Sequence, residues 1–298
     1  MPPRISIIIP NHNYAVFLPE FFAALEAQTM DLGQVEAIFV DDDSRDDSLA
    51  VAQRLGNDLP VARFELVASG RLGHPALTRN LGLGLATAEN VACLDPDDLP
   101  APEFLEACLK RIDAPDAPQV VYCDYVEQSP SDSRIVSLPD FDPEVLSTQN
   151  ILTMAAVFKR EVWTTGQGFR ANTAYEDWDF WVRAAELGFS FARIPRPLYV
   201  YRQHRDNFSS SAVAQDGPAK AAIVANTPDF FHPEVRRWAT GIAMDRAWAT
   251  PGPRGLIPRA QDVRRLRELY RAIKGRLDSM VDMAMSADEG MPPWRAAS

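Results

Sequence analysis

Apolar positions in the first half of the chain alternate between two patterns. ISIII at residues 5–9 is a continuous β-branched run, as a strand buried on both faces requires, and VEAIFV at 35–40 repeats it. Between them Phe17, Leu18, Phe21, Phe22 and Leu25 recur at helical spacing, predicting a helix within 17–29. The alternation continues with a helix at 48–55, a strand at 61–68, a helix at 75–86, a strand at 90–94, a helix at 102–112 and a strand at 119–125. Strands alternating with helices predict an α/β fold, Rossmann-like, with a mostly parallel sheet covered by helices on both sides.

The pattern loosens after about residue 126. EQSPSDSR reads as a surface turn and PDFDPEVLSTQN as a loop. MAAVFKREVW reads as a strand and residues 175–187 as a helix with Trp178, Trp181, Val182 and Ala185 inward, closing one domain over 1–210. Residues 211–298 read as a helical C-terminal extension, loop-like at its start and broken by Thr-Pro-Gly-Pro at 250–253. In that extension Val263, Leu266, Tyr270, Ile273, Leu277 and Met280 alternate at spacings of three and four, an a/d stripe. The stripe predicts a helix docked on the domain or the seam of a homodimer. The Arg and Lys residues around it admit peripheral contact with an anionic membrane.

Composition narrows the classes. Hydrophobic residues at 46% and charged residues at 24% fit an ordinary globular chain, and a net charge of −11 argues against a nucleic-acid partner. Cys93, Cys108 and Cys123 form no CxxC pair, so buried thiols are expected rather than a zinc site. The apolar run in MPPRISIIIP stops at a proline, too short for a signal peptide, and no run reaches the roughly 18–20 residues of a membrane span. The expected location is cytoplasmic, with contact at the inner face of the membrane left open.

Candidate chemistry sits where the predicted strands end, which is where such sheets bind ligands. Strand one runs into Pro10-Asn11-His12-Asn13, strand two into Asp41-Asp42-Asp43, strand three into Ser69-Gly70-Arg71 and strand four into LDPDD. Asp41 and Asp42 can accept hydrogen bonds from a ribose hydroxyl or a base N–H, whereas Asp46 or Asp47 suits a helix cap. In LDPDD an extended backbone would point Asp95 and Asp97 to one side, a D-x-D arrangement for a hard divalent cation completed by phosphate and water. Asp98 reads as a helix cap or a supporting partner. Asp177 lies at a predicted helix N-terminus, either capping it with Glu176 or acting as a general base. His204 offers a nitrogen ligand near LDPDD. Arg71 and Arg79 can bind a diphosphate or form ordinary ion pairs, with Arg71 favoured as the ligand by its place at a strand end.

Six segments together resemble the family 2 inverting glycosyltransferases of the GT-A fold: SIIIPNHN, VDDDSRDDS, GRLGHPALTRNLGLGLA, CLDPDD, GFR with YEDWDFWVR, and YRQH. They lie in family order over about residues 5–205. The resemblance implies a nucleotide-diphosphate-sugar donor, a UDP-sugar above others, held with Mn²⁺ or Mg²⁺. It implies that Pro10, Asn13, Asp41, Asp42, Arg71, Asp95 and Glu176 bind the nucleotide sugar. Asp95, Asp97 and His204 resemble the metal ligands and Asp177 the catalytic base. A glycan or lipid-linked acceptor, of the kind used in polysaccharide synthesis, is the implied second substrate. Asp43 stands where the family has glycine, a turn position that calls for positive φ. Two other readings remain: a binding protein without turnover, and a sugar nucleotidyltransferase. The second is disfavoured because PNHNYAVF lacks the glycines and basic residues that cradle a triphosphate.

Overall fold

The computed structural model describes residues 2–204 and 215–289, with side chains through residue 280. Among the described residues, ten helices and nine strands follow the predicted alternation closely. β1 (Ile5–Asn11), α1 (Leu18–Glu26), β2 (Val35–Asp41), α2 (Ser48–Asp58), β3 (Arg63–Ala68), α3 (Pro75–Leu85), β4 (Asn90–Cys93), the short β5 (Leu99–Pro100) and α4 (Phe104–Ile112) form the first half. β6 (Val120–Gln128), β7 (Ser133–Val136), α5 (Pro143–Leu146), β8 (Ala156–Lys159), α6 (Arg160–Thr165), α7 (Glu176–Glu186) and β9 (Phe191–Arg202) complete the sheet region. Beyond it lie α8 (Asp216–Asn226), α9 (Pro233–Ala243) and α10 (Ala260–Glu289).

One mixed sheet has the order β3-β2-β1-β4-β8-β6-β9-β5, with β7 hairpinned to β6. β1 pairs parallel with both β2 and β4, in a register that sets Asn11 beside Asp41. Period-two alternation then divides each central strand between two cores. Ile5, Ile7 and Ile9 point into a layer with Phe21, Phe22 and Leu105, while Ile8 points into a layer with Leu83, Trp178 and Trp181. A continuous β-branched run is what a strand with no solvent face needs.

The second half departs from expectation in three places. EQSPSDSR is no free turn, because Gln128 pairs with Ser133 and extends β6 into a hairpin with β7. PDFDPEVL contains a one-turn helix, whose N-cap Asp142 accepts from the Glu144 N–H at 2.8 Å. MAAVFKREVW is a strand only to Lys159 and then turns into α6, its short length fixed by antiparallel pairing with both β4 and β6.

The expected boundary at 210 and the loop-like start of the extension fall within residues 205–214, outside the described residues. The helices beyond them are not a separate layer. Ile223, Val235, Trp238, Ile257 and Val263 belong to the same buried cluster as Ile8 and Trp178. α10 docks only through its first two turns, where Val263 is fully buried and Leu266 and Arg267 are half-buried, whereas Ile273, Leu277 and Met280 are 58%, 57% and 64% exposed. Of the two expectations for this stripe, docking on the domain holds for the helix root, and beyond it the stripe faces solvent.

Candidate active site

Because β1, β2 and β4 run parallel, their carboxyl ends reach the same rim of the sheet. There the chain leaves the ladder in turns that need unusual backbone. Asn13 and Asp43 take φ values of 61° and 58°, so the aspartate in the expected glycine position does adopt the left-handed conformation. The two turns lock together. The Asn13 side-chain oxygen accepts from the Arg45 N–H at 2.7 Å, and the Asn13 N–H donates to Ser44 Oγ at 2.8 Å.

These turns, the start of α3, LDPDD, the start of α7 and the end of β9 enclose a cavity of about 1130 Å³. That is slightly above the usual range for ligand sites, roughly 300–1,000 Å³. Pro10, Asn13, Asp42, Arg71, Asp95, Asp97, Glu176, Asp177 and His204 all line it. Asp41 does not. It is 1% exposed and its carboxylate accepts from Asn11 Nδ2 at 2.9 Å and the Ser44 N–H at 3.0 Å, so it braces the rim from behind. Asp42 faces inward and accepts from the Leu72 and Gly73 N–H groups, holding the loop after β3 over the cavity. Asp46, not Asp47, accepts from the Ser48 N–H that opens α2.

The crowded carboxylates of LDPDD are sorted by their partners. Arg79, buried on α3, donates from Nη2 to both oxygens of Asp95 at 2.9 and 3.0 Å and from Nη1 to Glu176 at 2.7 Å. Arg79 is thus the ion-pairing arginine and Arg71 the exposed one at the rim. Burial counts against this guanidinium's charge, but Asp95 and Glu176 more than compensate and hold its pKa well above the usual value. Asp98 is no helix cap: its oxygens accept from the Tyr199 hydroxyl at 3.1 Å and the Arg202 N–H at 2.8 Å, tying the turn to β9. Burial, then Asp97, pushes the Asp98 carboxyl well up.

Asp97 lies 3.0 Å from His204 Nε2 through its Oδ2. Burial, then Asp95, raises its pKa, and His204 works in the opposite direction. The imidazole rests against Phe17, ring centroids 4.7 Å apart, and edge-on to Tyr14 at 5.9 Å. Among the described residues no three His, Cys, Asp or Glu side chains gather as a metal cluster. The donor set still fits a hard divalent cation. One carboxylate and one imidazole face a cavity whose acidic wall holds its protons too tightly, and Mg²⁺-type ions complete few protein ligands with phosphate and water. Asp95, expected as a further ligand, has both oxygens engaged by Arg79.

Asp177 occupies the first turn of α7. Its Oδ1 accepts from the Trp178 N–H at 2.7 Å and its Oδ2 from Asn150 Nδ2 at 2.9 Å. Burial, then neighbouring Glu176, pushes its pKa up to about 7. Position is set by the Trp178 ring, 1% exposed, whose Nε1 donates to the Leu146 carbonyl at 2.8 Å. Sequence reasoning passed over Asn150, which sits in a stretch without periodicity and reaches Asp177 only through the fold. Tyr14, whose phenol is raised by burial and Asp97, was legible only as a residue beside Asn13. Leu256 also lines the cavity, reaching it from far outside the segments that carried the resemblance.

Fold and cavity define a class, an α/β protein that takes its ligand at the carboxyl ends of parallel strands beside an acidic turn. Residues 6–162, just over half of the chain, match Glycosyl transferase family 2, and the chain belongs to that family. It is 27% identical over 212 residues to a chondroitin synthase of Pasteurella multocida, covering 70% of this chain but 21% of that synthase. The chain thus spans about a fifth of the synthase's length. EpsH of Bacillus subtilis is 24% identical over 298 residues, covering 88% of this chain and 82% of EpsH. The fold is that of GT-A glycosyltransferases of known structure. S. aureus TarS 1–349 in complex with UDP-GlcNAc superposes with a TM-score of 0.61 at 18% identity, over 75% of this chain and 67% of that one. The mannosyltransferase PcManGT of Pyrobaculum calidifontis, in complex with GDP-Man and Mn²⁺, superposes at 0.61 with 22% identity, over 99% and 83%. The family match ends at residue 162, upstream of Asp177 and His204, so their roles rest on geometry.

Proposed function

We propose that this protein transfers a sugar from a nucleoside-diphosphate sugar to an acceptor hydroxyl, with inversion and with a divalent metal. A UDP-sugar donor and a growing glycan or lipid-linked acceptor are the substrates we favour. The observation that carries the reading is Asp177. A carboxylate with its pKa near neutrality, oriented by Asn150, faces the same cavity as the acidic turn at the strand ends. General bases work best when their pKa lies near the operating pH.

In the reaction, Asp177 Oδ2 takes the proton of the acceptor hydroxyl as that oxygen attacks the anomeric carbon. The nucleoside diphosphate leaves from the opposite side, and one displacement inverts the configuration. Asn150 keeps the carboxylate in place. Pro10, Asn13 and Asp42 line the nucleoside end of the cavity, and Arg71 at the rim meets the diphosphate. Arg79 pins Asp95 and Glu176 at the sugar end, so the donor meets a preset charge pattern. Asp97 and His204 would hold a bound Mn²⁺ or Mg²⁺, which neutralises charge developing on the leaving diphosphate. The metal and the donor class are supported by the structural neighbours TarS, solved with UDP-GlcNAc, and PcManGT, solved with GDP-Man and Mn²⁺.

Asp177→Asn should reduce transfer by roughly a thousandfold or more while donor affinity stays within a few-fold, since the carboxylate acts on the acceptor. Near-normal turnover by that variant would remove Asp177 from the base role. Asp97→Ala should abolish the gain in donor affinity that Mn²⁺ brings, read by calorimetry with and without the ion. Equal affinities in all four titrations would remove Asp97 from metal binding. Nuclear magnetic resonance of the product anomer decides inversion.

A further inference from the structure

The stripe on α10 is the largest exposed apolar feature described. Leu269, Tyr270, Ile273, Leu277 and Met280 are between 36% and 64% exposed. At 100° per residue they occupy one face of the helix, and the flanks of that face are basic. Arg265 and Arg276 fall along one edge, Arg267 and Lys274 along the other, while Glu268 lies on the opposite side. Residues 260–280 carry six Arg or Lys (Arg264, Arg265, Arg267, Arg271, Lys274, Arg276) against Asp262, Glu268 and Asp278. The next acids, Asp282, Asp288 and Glu289, balance the whole helix, so its positive charge is concentrated in the part that carries the stripe, within a chain of net charge −11.

Two occupants suit an apolar helix face, and the flanks choose between them. In a coiled-coil pair of α10 helices, Arg267, Lys274 and Arg276 occupy positions beside the a/d seam, with Leu269 as the fourth. Such positions normally pair opposite charges across the seam, and here Asp262 could answer Arg267 but no acid answers Lys274 or Arg276. A layer of anionic headgroups answers all of them, with the stripe immersed and the long basic side chains reaching outward. A second feature continues the surface. Arg236, Arg237, Arg246 and Arg267 line an open groove of about 470 Å³ between α9 and the root of α10, beside Met244 at 57% exposure. Arg267 belongs to both features; it pairs with Glu234 at 3.0 Å and lies over the Trp248 ring at 5.6 Å, which anchors the helix root.

We propose that α10 lies on an anionic phospholipid surface, with Tyr270, Ile273, Leu277 and Met280 immersed and the α9–α10 arginines against the headgroups. The helix root is tied to the active cavity. Leu256 lines that cavity, and the next residue, Ile257, is buried and donates its N–H to the Thr148 carbonyl at 2.8 Å. Resting on the proposed transfer reaction, this placement gives the acceptor a lipid-borne carrier, with the root of α10 joining the cavity wall to the bilayer contact.

The test is co-sedimentation of the full chain with vesicles of phosphatidylcholine, alone or with about 30% phosphatidylglycerol, at roughly 0.1 M salt. The chain should pellet with the anionic vesicles and stay in solution with the neutral ones. Ile273→Asp with Leu277→Asp should abolish pelleting, and Lys274→Gln and Arg276→Gln should each weaken it by roughly fivefold. The variants' circular dichroism and nucleotide-sugar thermal shift should match those of the parent, because none of these residues lies in the cavity. Failure to pellet, or equal pelleting with neutral vesicles, overturns the proposal. So does a dimer by light scattering that Leu277→Asp splits while anionic vesicles leave the chain in solution. Vesicle binding and nucleotide-sugar binding are read separately, so the membrane contact and the transfer reaction stand or fall apart from each other.

Discussion

Asp177 shows how one residue sets a trade between stability and activity. Its folded pKa, about 7, lies above the ordinary 3.8, so the fold favours the protonated form. At acid pH below both values, folded and unfolded chains are protonated and the side chain has no effect on the balance. Between about 4 and 7 the unfolded chain releases its proton first, and stability falls as pH rises. Asp177→Asn should therefore raise the melting temperature at pH 8 by several degrees, equivalent to about 2 kcal/mol, and leave it unchanged near pH 4. If Asp177 is the base proposed above, the same pKa predicts an acid limb near pH 7 in the rate profile, because the carboxylate must be unprotonated to act. Calorimetric melts at the two pH values, with a pH–rate profile of the parent, check both. A destabilised Asn variant at pH 8 would mean that burial does not strain this carboxylate. Asp41 carries the opposite lesson at the same scale. Adjacent to Asp42 in sequence and as acidic, it points away from the cavity because neighbouring side chains on a strand face opposite sides.

At the scale of elements, α3 is the part on which the site depends most directly. It presents Arg79 to Asp95 and Glu176, and Asn80, whose Oδ1 accepts from Trp163 Nε1 at 2.9 Å and the Phe169 N–H at 2.7 Å. Its close approach to the sheet depends on Gly82, where a Cβ would stand 2.5 Å from Ile8 Cγ2 and 3.2 Å from Val40 Cγ2. Gly82→Ala should destabilise by about 1–3 kcal/mol, since both neighbours are locked in the core. Gly84→Ala, two residues along the same helix with nothing within 4 Å, should stabilise by up to about 1 kcal/mol through helix propensity alone. Opposite signs in denaturant titrations confirm the packing account; equal signs refute it. Most elements of the first half were legible because β1, β2 and β4 have no solvent face and each helix has one, which gives clean periods. The region after residue 126 was less legible, as its β6–β7 hairpin lies at the surface and α5 is one turn long.

At the scale of the molecule, the helices beyond residue 215 are structural members of the same core. Trp238 is fully buried in the cluster that holds Trp178 beside Asp177, with Nε1 donating to the Thr250 carbonyl at 2.9 Å. Buried Lys220 pairs with Asp216 at 2.6 Å, and Asp216 in turn accepts from the Tyr175 hydroxyl at 2.7 Å, next to Glu176 and Asp177. Trp238→Ala should cost about 3–5 kcal/mol and lower the single unfolding transition as a whole. Two separated transitions by calorimetry, with only one of them shifted, would make the C-terminal helices an independent unit. Among the described residues no helix is long and apolar enough to cross a membrane.

Periodicity and the order of motifs were enough to determine the α/β class, the family resemblance and the strand ends at which chemistry gathers. These are local properties: a run of five or more residues carries its own period, and a turn carries its own composition. Tertiary structure alone decided which carboxylates face the cavity, which arginine neutralises them, and that Asn150 orients Asp177. It also decided that the stripe on α10 is bare. Those outcomes depend on contacts between residues tens to more than a hundred positions apart, and on the low dielectric their burial creates. LDPDD is the clearest case. Its acidity was plain in five letters, but Arg79, Tyr199 and His204 give its three aspartates different work.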